Sequence, residues 1–208
     1  MNGTLHTAIG AASGFIVANS LQSDPMTTLL LVGLGGISGL MPDIDIDGKL
    51  SNKITLSAGM IRTVAQFVGI LMMVYSYFEG MDKEKWIGIF LGLMMIVASS
   101  YLTQRRMLTV TGGGVLAGGI FLQETWLSLL GIYIMIASFI PHRSYTHSIA
   151  GILFFAAIAS RFEASLGIDG VFMTCMAGYI SHLIADMKIL PVNKRGVKYF
   201  LPFSSKEF

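Results

Sequence analysis

The chain has 208 residues, 53% of them hydrophobic and only 12% charged, with a net charge of +2. Soluble domains carry about 25% charged residues, so this chain has too few to cover a water-facing surface. With a mean hydropathy of +0.69, the composition argues against a soluble enzyme, a nucleic-acid binder or a disordered chain, and for a helical membrane protein.

The apolar runs predict eight helices, over roughly 5–20, 27–42, 54–78, 85–102, 108–122, 125–141, 146–162 and 169–190. The expectation is an all-α, polytopic transmembrane helical bundle of about eight spans, and at least six, forming a single integral-membrane domain over 1–208. The runs are continuously apolar rather than alternating, which does not suit a β-barrel. His6 interrupts the first run and no basic leader precedes it, so a cleavable signal peptide is not expected. Several runs are shorter than the ~20 residues that cross a bilayer upright, and such helices tilt, thin the membrane or sit half-buried. Gly112, Gly113, Gly114, Gly118 and Gly119 make the fifth run either a close-packing surface or a break, leaving 108–141 open as one span or two. Cys175 is the lone cysteine, so no internal disulfide forms, and the 14 methionines are apolar filler. The tail 191–208 is basic and aromatic, with Lys194, Arg195, Lys198, Tyr199 and Phe200, and reads as an interfacial anchor on anionic lipid.

Loop charge sets the expected orientation. With both termini cytoplasmic, Lys49, Lys53, Arg105, Arg106, Arg143, Lys188, Lys194, Arg195, Lys198 and Lys206 lie inside. Only Lys83, Lys85 and Arg161 lie outside, and Arg62 falls within a span. That bias satisfies the positive-inside rule.

Ionisable groups at membrane depth are costly, so their positions point to function. Every histidine falls in a polar cluster at a span end: His6 in the first, His142 and His147 between the sixth and seventh, and His182 four residues before Asp186 in the last. Asp43 and Asp45 follow Pro42 at the end of the second. By the charge count all of these lie on the cytoplasmic side. His182 and Asp186 share one helix face. Pro42 is expected to leave Asp43 and Asp45 extended with their side chains on one side. His142 is expected in the turn after Pro141, and His147 in the first turn of the next helix, capped by Ser144 or Thr146. Imidazole with carboxylate suits zinc foremost, with manganese, iron or magnesium as alternatives, and three carboxylates suit two or more divalent ions. Each residue also has a plainer role as a cap, a loop carboxylate or a hydrogen-bonded pair. Asp43 to Gly48 imitates a calcium loop, but Ile54 stands where a bidentate Glu belongs. Arg143 beside His142, and Arg62 in the third run, are candidate phosphate contacts or snorkelling residues.

The chain resembles the LexA-regulated, membrane-bound metal-dependent hydrolases over most of its length. The resemblance rests on His6-Thr7, on Gly39-x-x-Pro42-Asp43-x-Asp45, on His142-Arg143-x-x-Thr146-His147-Ser148, and on Gly178-x-x-x-His182-x-x-x-Asp186. That family is distantly similar to zinc-dependent phospholipases C. The resemblance implies His6, Asp43, Asp45, His142, His147, His182 and Asp186 as metal ligands. Where relatives carry Thr-x-x-Gly and then Pro-Phe, this chain has Asn193-Lys194-Arg195-Gly196 and Pro202-Phe203. The expected function is hydrolysis of a lipid phosphoester at the inner membrane, with Asp45, Asp186 and Arg143 catalytic and Arg143 and Arg62 on the phosphate. A metal or proton transporter and a non-catalytic protein with a structural metal are the rivals. A zinc protease is disfavoured for want of His-Glu-x-x-His.

Overall fold

The computed structural model describes residues 3–44, 57–141, 144–188, 196–201, 203, 204 and 206–208. Among these residues the regular structure is entirely helical: α1 Gly3–Ser20, α2 Pro25–Ser38, α3 Ala58–Glu79, α4 Asp82–Ser100, α5 Gln104–Phe121, α6 Thr125–Ala137, α7 Ile149–Leu166 and α8 Val171–Ala185. Two short 3-10 turns, Met41–Ile44 and Tyr145–His147, complete it. The segment 108–141 is therefore two helices.

Among the described residues, fewer helices are long and apolar enough to cross a membrane than the six to eight spans expected: α3 and α7 qualify alone, and α4 with α5 qualifies together as a broken span or a re-entrant loop. For three others the reason is length. The apolar helices α2, α6 and α8 have 14, 13 and 15 residues, which at 1.5 Å per residue reach about 20–22 Å of a ~30 Å hydrocarbon core.

The chain divides into two compact units, Met1–Ser51 with Leu108–Phe208, and Asn52–Met107. In the second, α3 and α4 cross at Gly69 and Gly92, where a Cβ on either would lie 2.8 or 2.6 Å from the other's carbonyl oxygen. Their only buried residues are Ala58, Gly69, Gly88, Gly92 and Ser99. Large apolar side chains such as Phe67, Phe78, Trp86 and Phe90 are exposed all round, as suits helices bathed in lipid and held together by backbone approach. Arg62 Nη2 donates to the Leu102 carbonyl at 2.5 Å.

In the first unit α5 packs on α6 through glycine again. A Cβ on Gly112 would lie 2.9 Å from Met135 N, one on Gly119 2.4 Å from Ser128 N, and one on Gly131 2.4 Å from Leu116 N. Gly113, Gly114 and Gly118 face open space. The core gathers Leu31, Ile134, Phe155, Ile158, Val171, Tyr179 and Leu183 from α2, α6, α7 and α8.

Asp24 starts α2. Its carboxylate accepts from the amides of Met26 at 2.9 Å and Thr27 at 3.2 Å, with Pro25 at the first helical position. The Thr27 hydroxyl first, then these amides, hold the Asp24 carboxyl below its ordinary value. A group depressed on folding contributes in full above its unfolded value, and the contribution fades as pH falls through the folded one. The melting temperature should therefore decline on acidification below about pH 4. Asp24→Asn, which keeps the acceptor without the charge, should remove this group's part of the decline in a pH series of melting curves.

Candidate metal centre

The site starts from a backbone contact. A Cβ on Gly10 of α1 would lie 2.3 Å from the Gly35 carbonyl oxygen, and one on Gly178 of α8 would lie 2.5 Å from the same atom. Three helices thus meet at Gly35 of α2, closer than any side chain allows. One turn along each helix from this point stand His6, Gly39 and His182. The spacing of four residues keeps them on the contacting faces. The His6 and His182 rings stack with centroids 3.9 Å apart and 25° between planes. His182 Nδ1 lies 2.7 Å from the Gly39 carbonyl oxygen. A carbonyl only accepts, so Nδ1 carries a proton, and it is Nε2 that faces the site, with its lone pair available whenever the ring is neutral.

Two turns and a helix end supply the remaining groups. Asp43 sits in the 3-10 turn Met41–Ile44 with φ −83 and ψ 18, not in the extended backbone that Pro42 led us to expect. The helix before it stops at Ser38, and the turn carries the chain round to face α8. His147 closes the turn Tyr145–His147, its amide donating to Ser144 O at 3.0 Å. It therefore precedes the helix rather than lying in its first turn. Ser148 is the N-cap of α7 and makes no side-chain capping bond. The Thr146 hydroxyl, read from sequence as a cap, instead lies 3.1 Å from His147 Nδ1. Asp186 is the C-cap of α8, with φ −94 and ψ 0.

These five side chains converge. His147 Nε2 and His182 Nε2 are 3.2 Å apart. Asp43 Oδ1 is 3.6 Å from His182 Nε2 and 3.8 Å from His147 Nε2. Asp186 Oδ2 is 3.7 and 3.9 Å from the same two nitrogens, while its Oδ1 is 3.3 Å from His6 Nε2. Donors about 2.05 Å from a tetrahedral ion stand about 3.3 Å from each other, and the five edges among Asp43, His147, His182 and Asp186 lie within about 0.6 Å of that spacing, four of them on the long side. Exposure runs from 0% at His147 and His182 to 4% at Asp43. Two carboxylates buried this deeply need positive charge beside them. Protons on the imidazoles or a cation in the cage would supply it. Two triads could each hold an ion, His6 with His182 and Asp186, and Asp43 with His147 and His182.

Of the residues singled out from sequence, His6, Asp43, His147, His182 and Asp186 are thus brought together. Asp45, His142 and Arg143 lie outside the described residues, as do Asp47, Asn193, Lys194, Arg195 and Pro202. Arg62 belongs to the second unit and is engaged by Leu102. Sequence reasoning missed the backbone of Gly39, the hydroxyl contact of Thr146, and Tyr179. Gly39 and Thr146 stand inside the motifs, so position was available as a signal, but a carbonyl has no signature.

The described part of the tail is tied to both arms of the site. Tyr199 O accepts from Ile149 N at 3.0 Å, at the start of α7. Tyr199 Oη donates to Leu183 O at 3.3 Å. Phe208 O accepts from Lys188 N at 2.9 Å and Val197 N at 3.1 Å. Val197 is fully buried, and Lys198 pairs with Glu207 at 3.8 Å. Burial first, and the charge of Asp186 second, push the Tyr199 phenol above its ordinary value.

Comparison with curated proteins and with solved structures finds no match. Two helices apolar and long enough to cross a bilayer accord with what the family comparison finds. The family model described as "YdjM inner membrane protein" matches residues 1–208, the whole chain, and the chain belongs to that family of inner-membrane proteins.

Proposed function

We propose that this inner-membrane protein is a metal-dependent hydrolase that cleaves a phosphoester of a membrane lipid at the cytoplasmic face. The observation that carries the reading is the buried cluster of Asp43, His147, His182 and Asp186, in which the two Nε2 atoms stand 3.2 Å apart and each carboxylate offers an oxygen 3.6–3.9 Å from both. Its imidazole and carboxylate donors favour zinc among divalent ions. When bound there, such an ion supplies Lewis acidity and a water of lowered pKa.

The chain's own groups then divide the work. The Gly39 carbonyl takes Nδ1 of His182, so only Nε2 faces the site, it serves one ion position, and the four-donor cage is the better claim on it. Asp186 turns Oδ2 to that cage and Oδ1 to His6, so it is the residue that would be shared with a second ion. The motifs put Asp45 and His142 in the same ligand set, and Arg143 would take the phosphate oxygens through paired hydrogen bonds. The exposed apolar surface supports a lipid substrate, since a chain held in the membrane meets lipid headgroups.

The test is reconstitution. Full-length protein in detergent, stripped with chelator, should regain hydrolysis of a phospholipid panel on adding zinc or manganese. A His147→Ala protein that hydrolyses at the parent rate would sink the mechanism. One observation favours a second reading, a purely structural ion. His147 and His182 have no exposed surface at all, and structural zinc sites are closed where catalytic ones keep a position open. On that reading chelation lowers the melting temperature and no lipid in the panel turns over.

A further inference from the structure

The His147 imidazole is held from behind by a chain of hydroxyls that the proposed chemistry does not use. Tyr179 of α8 is fully buried, and its hydroxyl donates to the backbone carbonyl of Thr146. With that proton committed to a carbonyl, Tyr133 Oη of α6, 3.0 Å away, must donate to the Tyr179 oxygen. The Thr146 hydroxyl in turn stands 3.1 Å from His147 Nδ1. Gly151 of α7 leaves room for this: a Cβ there would lie 2.5 Å from Tyr145 O and 2.8 Å from both Thr146 O and Tyr179 Oη. Three helices thus clamp the turn that carries His147.

We infer that Tyr179, backed by Tyr133, is a positioning residue for the bound ion. It fixes Thr146 so that the Thr146 hydroxyl receives the Nδ1 proton of His147, and the Nε2 lone pair then points at His182 and Asp43. The inference rests on the divalent-ion reading above. Its physical basis is that a ligating imidazole with its other N–H anchored keeps one tautomer and one ring orientation. A donor to the Tyr179 oxygen also strengthens the bond that oxygen makes onward. The ring of Tyr179 has its own support, stacked on Phe155 with centroids 4.7 Å apart. Removing the hydroxyl alone therefore leaves the packing in place.

The experiment uses the full chain in detergent, metal-free, with zinc affinity measured by chelator competition, melting temperature without metal, and the His147 tautomer by nitrogen NMR. Tyr179→Phe and Thr146→Val should each weaken zinc binding roughly 10–100-fold, with the His147 ring passing to mixed tautomers. Thr146→Ser, which keeps the hydroxyl, should bind nearly as the parent does, and Tyr133→Phe should show a smaller loss in the same direction. Zinc binding by Tyr179→Phe within about twofold of the parent overturns the inference, whatever happens to its melting temperature. If Tyr179→Phe does not fold, the threonine pair decides, and equal affinities for Thr146→Val and Thr146→Ser overturn it. A parent chain that binds no zinc overturns the divalent-ion reading and this inference with it.

Discussion

In a His182→Ala protein, ion binding at the four-donor cage is lost rather than weakened. His182 is the one residue common to both triads, and its Nε2 makes the shortest edge of the cage, 3.2 Å to His147. Its removal leaves the buried Asp43 and Asp186 carboxylates with one imidazole fewer beside them, and it strips the Gly39 carbonyl of this donor. An orphaned buried acceptor costs about 1–3 kcal/mol, so the metal-free protein should also melt lower. Zinc affinity of the cage should fall by more than the roughly 100-fold upper range for losing an outer hydrogen-bond partner, and bound metal measured after gel filtration should drop by the cage's ion. His6→Ala is the contrast. His6 Nε2 reaches only Asp186 Oδ1, at 3.3 Å, so the four-donor cage survives and one tightly held ion remains. Zinc bound by His182→Ala in the same amount and as tightly as by the parent would show that the cage is not the binding site.

A methyl group at Gly35 should be nearly as damaging, although it adds no chemistry. Its carbon would lie 2.3 Å from the Gly10 carbonyl oxygen, and a backbone atom cannot swing aside as a side chain does. Forcing α1 off α2 should cost about 1–3 kcal/mol or more. It should also slide His6 away from His182, one turn farther along, so zinc affinity falls together with stability. The same substitution at Gly114 meets nothing within 4 Å. There alanine should be neutral or stabilising by up to about 1 kcal/mol, from helix propensity. Unfolding curves and zinc titrations of the two variants check this, and equal behaviour would refute the close-approach account.

Legibility differed sharply from element to element. The eight helices fall close to where the apolar runs place them because each run is bounded within its own stretch of chain by charged or glycine-rich punctuation. The end of α2 was misplaced because Leu40, Met41 and Ile44 are as apolar as the helix, yet the backbone leaves it after Ser38. Apolarity marks burial and is silent on the switch to a 3-10 turn. Crossing number was overcounted for a related reason: a run of apolar residues includes turns, and only the helical part contributes length across the membrane. His147 shows the limit at the site. Its position among Thr146 and Ser148 made it stand out, but the same pattern suits a residue within the helix or just before it.

Scarcity of charge is a property of the chain alone. Four histidines and a few aspartates among long apolar runs already marked His6, Asp43, Asp45, His142, His147, His182 and Asp186 as the groups whose placement needed a reason. What the one-dimensional pattern left open was which of them meet, through which atoms, and in which tautomer. Those questions turn on contacts across great chain separation, such as His182 with the carbonyl of Gly39, 143 residues away. They were settled by how closely three glycine-bearing backbones approach, a distance that depends on the partner helix and is written in neither helix by itself.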